Sequence, residues 1–108
     1  MVLIQLLLPT KIPSRPTADS AHALAMTRRE LTDQFDGLTA YVRSPAHGIW
    51  TSADGEVEQD DVVMVEVVTD HFDRAWWRTY ASVLSRRFRQ DAIHVRALPI
   101  DLLEDEAR

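Results

Sequence analysis

Cysteine is absent from the 108-residue chain, which excludes disulfide bonds, thiolate metal sites and a cysteine nucleophile. Glycine is scarce, and none of its three residues belongs to a glycine-rich phosphate loop or a GxSxG elbow. Basic residues are outnumbered: the formal net charge of −5 argues against a general nucleic-acid binder, because neutralising phosphates requires a basic surface. The four histidines have no spacing such as HxxxH, so we expect neither a metal ion nor a cofactor.

Long hydrophobic runs are also missing. The most apolar stretch, residues 2–8, contains Gln5, has no basic residue before it and is too short for an export signal or a membrane span. We therefore interpret this stretch as a buried strand, and we expect a cytoplasmic protein that is not bound to a membrane.

The chain does have the composition of a globular domain. Its hydrophobic fraction of 45% and charged fraction of 27% are ordinary for a folded protein, which argues against disorder of the whole chain. This length predicts a single domain over residues 1–108, with an acidic tail at about residues 101–108. A domain of this size buries a modest core, so association with a second copy would add stability.

The order of predicted elements indicates an α+β fold. Alternating and β-branched apolar residues predict strands, whereas apolar residues at helical spacing predict helices. We expect strands at residues 2–8, 38–43, 62–68 and 92–98, and helices at residues 17–36 and 70–90. Two helices separated by a hairpin, with a strand at each end, form the ferredoxin-like βαββαβ arrangement. Right-handed crossovers then give a four-stranded antiparallel sheet of order 4-1-3-2, with both helices on one face.

The second predicted helix has the clearest start and the clearest faces. Asp70 and Asp73 resemble a capping pair at its N-terminus. The apolar residues recur on one stripe, which places Trp76 in the core and Trp77 on its flank. The arginines fall mostly off this stripe, on a face that we expect to be solvated: Arg74, Arg78, Arg86, Arg87 and Arg89.

Period-two alternation assigns each strand residue to one face of the sheet. The face toward the helices receives only apolar side chains: Ile4, Leu6, Leu8, Leu38, Ala40, Val42, Val63, Val65, Val67, Ile93, Val95 and Ala97. The opposite, open face also carries sizeable apolar side chains: Leu3, Leu7, Val62, Met64, Val68 and Leu98. A contiguous apolar patch usually marks a partner surface. Since the simplest cover is the same face of a second copy, we expect a two-fold homodimer through the open face.

Six polar side chains within the open face form the candidate site. In one predicted row lie Arg96, Gln5, Glu66 and Tyr41, and a position away lie His94 and Arg43. One interpretation is a polar network that fixes the register of a non-catalytic assembly or protein-interaction module. The other is a small pocket in which the arginines and the histidine hold an anionic or carbonyl-bearing ligand, with Glu66 as a general base. The sequence leaves open whether the protein is an enzyme.

A second, weaker candidate is the loop at residues 44–50. We expect residues 44–48 to interrupt the second strand, with pairing able to resume at residues 49–51. His47 there would be a proton shuttle at a pocket mouth, with Trp50 beside it. The alternative is an exposed histidine and a tryptophan that packs on the sheet edge. An RNA-recognition module of the same topology is excluded, because such modules stack bases on aromatic residues of the central strands and none lies there.

Several segments resemble a group of small uncharacterised bacterial proteins. These segments are Val2-Leu-Ile-Gln-Leu-Leu-Leu-Pro9, Gly37-Leu-Thr-Ala-Tyr-Val-Arg-Ser-Pro45, Asp61-Val-Val-Met-Val-Glu-Val67, Ala75-Trp-Trp-Arg-Thr-Tyr80 and Arg86-Arg-Phe-Arg-Gln-Asp91. The shape of that group is similar to the dimeric α+β barrel superfamily, whose members pack two such sheets face to face and often hold a ligand beside them.

The resemblance implies a homodimer with a site at the open face, but it implies no particular chemistry. The superfamily includes cofactor-free monooxygenases, haem-degrading enzymes and small isomerases. Its haem-degrading members resemble one another in an asparagine, tryptophan and histidine set. This chain contains no asparagine, which argues against haem, and no catalytic residue can be transferred to it position by position.

Overall fold

The computed structural model describes residues 1–35, 43–51 and 57–103, with side-chain environments for 1–35 and 62–103. Its elements in chain order are β1 (Val2–Pro9), α1 (Thr17–Gln34), β2 (Arg43–Thr51), β3 (Val57–Thr69), α2 (Arg74–Arg87) and β4 (His94–Pro99). The predicted α+β class, with two helices and an antiparallel sheet, is confirmed. Among the described residues, no helix is long and apolar enough to cross a membrane.

Strand β1 lies at the centre of the sheet and pairs on both sides. Its neighbours are β3 and β4, and both pairings are antiparallel. β2 adds to the far side of β3, with a register shift between Arg43 and Ala46. The order across the sheet is therefore β2-β3-β1-β4. Beyond the last pair of β1 and β4, the Ile100 amide donates to the Met1 carbonyl at 3.1 Å and extends their ladder.

The core forms where one face of the sheet meets both helices. Alternate residues of β1 and β3 are at most 4% exposed: Ile4, Leu6, Leu8, Val63, Val65 and Val67. They pack in one cluster with Leu31 of α1 and with Leu84 and Phe88 at the end of α2. The inward-facing residues predicted for β1 and β3 are confirmed, whereas residues 38, 40 and 42 lie outside the described part. Each such side chain contributes roughly 1.5–3 kcal/mol through burial. Two other assignments differ from the structure: Ala97 of β4, predicted to face the helices, is exposed, and Val62, predicted on the open face, is 7% exposed.

Helix α2 begins one turn later than predicted and is rotated relative to the predicted stripe. Its N-cap is Asp73, whose carboxylate accepts a hydrogen bond from the Trp76 amide at 3.1 Å, while Asp70 lies outside the helix and is exposed. The assignment of the two tryptophans was wrong: Trp77 is 3% exposed in the core, and Trp76 is half-buried. Phe35 at the end of α1 stacks on Trp77, with their ring centroids 5.3 Å apart, so the two helices meet through aromatic rings.

Candidate functional site

The open face has a polar row at its middle, built by the pairing of three strands. Gln5 on β1 lies opposite Glu66 on β3 and opposite Arg96 on β4. The predicted neighbourhood of these three residues is therefore confirmed. Tyr41, which the sequence placed in the same row, lies outside the described residues.

Gln5 and Glu66 are joined by a hydrogen bond. The side-chain amide nitrogen Nε2 of Gln5 donates to the Oε2 atom of Glu66 at 3.1 Å, and both residues are half-buried. Arg96 and His94, by contrast, are exposed. Within residues 1–35 and 62–103, neither of them has a hydrogen-bond or ion-pair partner. The row therefore combines a carboxylate held in position with a guanidinium that no described residue engages.

Two residues along the strands from the polar row lies a second row, which contains both apolar and basic residues and is called the mixed row. Leu7 of β1 is opposite His94 of β4 and Met64 of β3, and Met64 is in turn opposite Arg43 of β2. His94 and Arg43 thus fall at one level of the sheet, on its two outer strands. Leu7 and Met64 between them are half-buried.

The third row of the open face is entirely apolar. Leu3 lies opposite Val68 on one side and Leu98 on the other. Leu98 is 41% exposed, and the other two side chains are half-buried. The polar row is therefore bordered by an apolar row on one side and by the apolar centre of the mixed row on the other.

The structure places His47 in a strand, where the sequence predicted an interruption, and Trp50 in the same strand, where the sequence allowed pairing to resume. Both belong to β2, with His47 opposite Asp61 and Trp50 opposite Glu58. They are on the strand farthest from β4.

The sequence missed a charged cluster between the helices. Arg87, expected on a solvated face, points inward and binds Glu30 of α1 through two hydrogen bonds of 2.6 and 2.9 Å. Its Nη1 atom also donates to the Thr27 hydroxyl at 2.8 Å, and that hydroxyl donates to the carbonyl of Ala23. The hydroxyl of Tyr80 completes the cluster by donating to Glu30 at 3.0 Å.

The pKa values in this cluster follow from its hydrogen bonds and from burial. Those from Arg87 hold the pKa of the Glu30 carboxyl below its ordinary value. Burial, followed by the hydrogen bond to Glu30, raises the pKa of Tyr80. The carboxylate accepts hydrogen bonds from Arg87 and Tyr80 of α2, so the cluster joins α1 to α2.

One signal in α1 could have pointed to this cluster. The buried positions of α1 are Ser20, Ala23, Thr27 and Leu31, a helical stripe that contains two hydroxyl residues. A buried threonine needs a hydrogen-bond partner, and Glu30 lies three residues further along the same helix. The sequence could not have named Arg87 as the partner, because it lies 57 residues away from Glu30.

A cavity of about 380 Å³ lies near the end of α1 and the segment that follows β3. Its lining residues are Met1, Gln34, Phe35, Val68, Thr69, Asp70, His71 and Leu102. Of the predicted site residues whose side chains the structure describes, Gln5, Glu66, His94 and Arg96, none lines it. Among the described residues there is also no group of three or more His, Asp or Glu side chains that could hold a metal ion.

Comparison with known proteins leaves the site to be judged on its own geometry. No protein-family model matches the chain, and neither the curated proteins nor the solved structures contain a match to it.

Proposed function

We propose that this protein is a homodimeric assembly domain, with a ferredoxin-like fold of the dimeric α+β barrel type, whose open face is covered by a second copy. The observation that carries the proposal is the open face itself: five apolar side chains on β1, β3 and β4 face away from the core cluster. Such a patch is typical of a partner surface. The strand order and the helices that follow β1 and β3 support the proposed fold.

The cytoplasmic location belongs to the same proposal. The apolar residues 2–8 belong to β1, which pairs with strands on both of its sides, as a segment retained in the folded protein does. Its removal would take the central strand out of the sheet.

Substitution of Leu3 by Asp tests the proposal. Leu3 lies in the middle of the apolar row, so a carboxylate there would be desolvated by a second copy and should make the protein monomeric. Sedimentation velocity measures the change, and circular dichroism checks that the fold is retained. Leu103→Asp is the matched control, because Leu103 is 95% exposed and lies outside the sheet. A monomeric wild type, or an equal effect of both substitutions, would contradict the proposal.

A second candidate function is binding of a small anionic or carbonyl-bearing molecule in the open face. The observation in its favour is Arg96, an exposed guanidinium in the same row as the Glu66 carboxylate, with Gln5 between them. The two candidates differ in the role of Arg96. For an assembly domain, Arg96→Ala weakens the dimer, as sedimentation would show. For a ligand site, the dimer persists and the variant loses binding of a probe such as pyruvate in calorimetry.

A further inference from the structure

The open face carries opposite charges on the two sides of β1. Arg96 lies on β4 and Glu66 lies on β3, at the level of Gln5 between them. If a second copy covers this face, the charged groups of Arg96 and Glu66 both lose their hydration. A charge that is covered without a partner strongly destabilises an interface, so the arrangement of the two copies must give each charge a partner.

We propose that the two copies pack about a two-fold axis that runs along β1, so that Arg96 of each copy binds Glu66 of the other. This inference rests on the proposed homodimer and adds its geometry. Rotation about such an axis exchanges the two sides of β1 and brings β4 of one copy over β3 of the other. Each polar row is then completed by the partner.

The structure of the row suits this pairing. The hydrogen bond from Gln5 uses one oxygen of the Glu66 carboxylate, which leaves acceptor positions for an arginine fork. Arg96 has no partner among the described residues that would compete. The apolar rows also match, since the same rotation puts Leu98 over Val68 and Leu3 over Leu3 of the partner.

Other two-fold axes pair the charges poorly. An axis across the strands through Gln5 puts Arg96 against the partner's Arg96, and Glu66 against the partner's Glu66. An axis between β1 and β3 puts Glu66 opposite the partner's Gln5 and gives Arg96 no carboxylate. Like charges facing each other disfavour a complex, so the axis along β1 is the one that the charges select.

Crosslinking tests the axis directly, because the chain has no cysteine of its own. Gln5→Cys places a thiol on the axis, so a bismaleimide that spans the roughly 10 Å between packed sheets should produce covalent dimer. Glu66→Cys alone should give little covalent dimer, since residue 66 faces residue 96 of the partner and not residue 66. A mixture of Glu66→Cys and Arg96→Cys copies should crosslink, and neither variant should do so separately. Crosslinking of Glu66→Cys alone, or none with Gln5→Cys, would overturn the axis.

Charge reversal tests the ion pair. Arg96→Glu and Glu66→Arg should each raise the dimer dissociation constant by about tenfold or more, because each places two like-charged pairs in the interface. The double variant should return to within about threefold of wild type, as a restored pair should. Arg78→Glu, the same charge change at an exposed site on α2, is the control and should have little effect.

The outcomes separate this inference from the proposed function. Suppose that the wild type is a dimer, that Leu3→Asp dissociates it, and that neither charge reversal changes its dissociation constant. This result would refute the Arg96–Glu66 pair but would still support the homodimer. A wild type that is monomeric at all measured concentrations would refute both.

Discussion

At the scale of single residues, Arg87 shows how an arginine can join two helices. Its side chain is 15% exposed, whereas that of Glu30 is 42% exposed, so the pair lies at the rim of the helix interface. The guanidinium meets both carboxylate oxygens and the Thr27 hydroxyl. A lysine has no such fork and would satisfy fewer of these acceptors.

Substitution of Arg87 by Ala should destabilise the protein by about 1–3 kcal/mol, a value reduced from that of a fully buried pair because Glu30 remains partly solvated. The loss has two sources: the ion pair disappears, and the hydroxyl of Thr27 loses its donor. Urea denaturation followed by circular dichroism measures the effect. Arg86→Ala is the control, because Arg86 is exposed and should change the stability by less than about 0.5 kcal/mol. Equal effects of the two substitutions would show that the cluster contributes nothing.

At the scale of elements, strands and helices differ in how far their buried faces can be predicted. A strand alternates strictly between two faces, so the assignment of Leu6 and Val65 to the core required no further information. Consecutive residues on a helix are only about 100° apart around the helix axis. When the apolar stripe is broad, the sequence therefore does not tell which residue lies at its centre and is most deeply buried. Trp76 and Trp77 are adjacent and equally apolar, and Phe35 of α1 lies 5.3 Å from both rings, edge-on to Trp76 and stacked on Trp77. Spacing along α2 alone therefore did not tell which of the two is buried, and the structure buries Trp77.

The start of α2 gives a prediction at this scale. Asp73→Ala removes the side-chain acceptor of the Trp76 amide and should cost about 1 kcal/mol of stability. Asp70→Ala is the matched control, since Asp70 is the other acidic residue that the sequence proposed for the cap. Thermal unfolding of the two variants provides the comparison. A larger loss of stability with Asp70→Ala than with Asp73→Ala would contradict the assignment of the cap to Asp73.

At the scale of the whole molecule, the sequence predicted the side-chain neighbours that strand pairing creates, but it missed the contacts that form where the two helices pack together. The row of Arg96, Gln5 and Glu66 followed from alternation and from the order of elements. The Arg87–Glu30 pair depends on how two helices lie side by side, and no periodicity along one chain segment encodes that. What the open face binds is likewise a property of a surface and its partner, so it remains a proposal.

The helix cluster also makes the stability of the whole molecule depend on pH. The unfolded Glu30 carboxyl has its ordinary pKa of 4.5, and in the folded protein the hydrogen bonds from Arg87 lower that pKa. Its contribution is therefore fully present above about pH 4.5 and is lost as the pH falls through the folded pKa. We expect the difference in melting temperature between wild type and Glu30→Gln to shrink below that pH. A constant difference from pH 7 to pH 3 would contradict this linkage.

The central position of β1 has a consequence for synthesis of the protein. β1 ends at residue 9, whereas its two partner strands begin at residues 57 and 94. A ribosome adds about 5–20 residues per second, so β1 waits on the order of 10 seconds before its second partner has been made. During that time its apolar side chains and unpaired backbone are exposed to other nascent chains. A chaperone that binds short extended apolar segments would find a binding site in β1 during this time, and it would have to release the strand before β3 and β4 could pair with it.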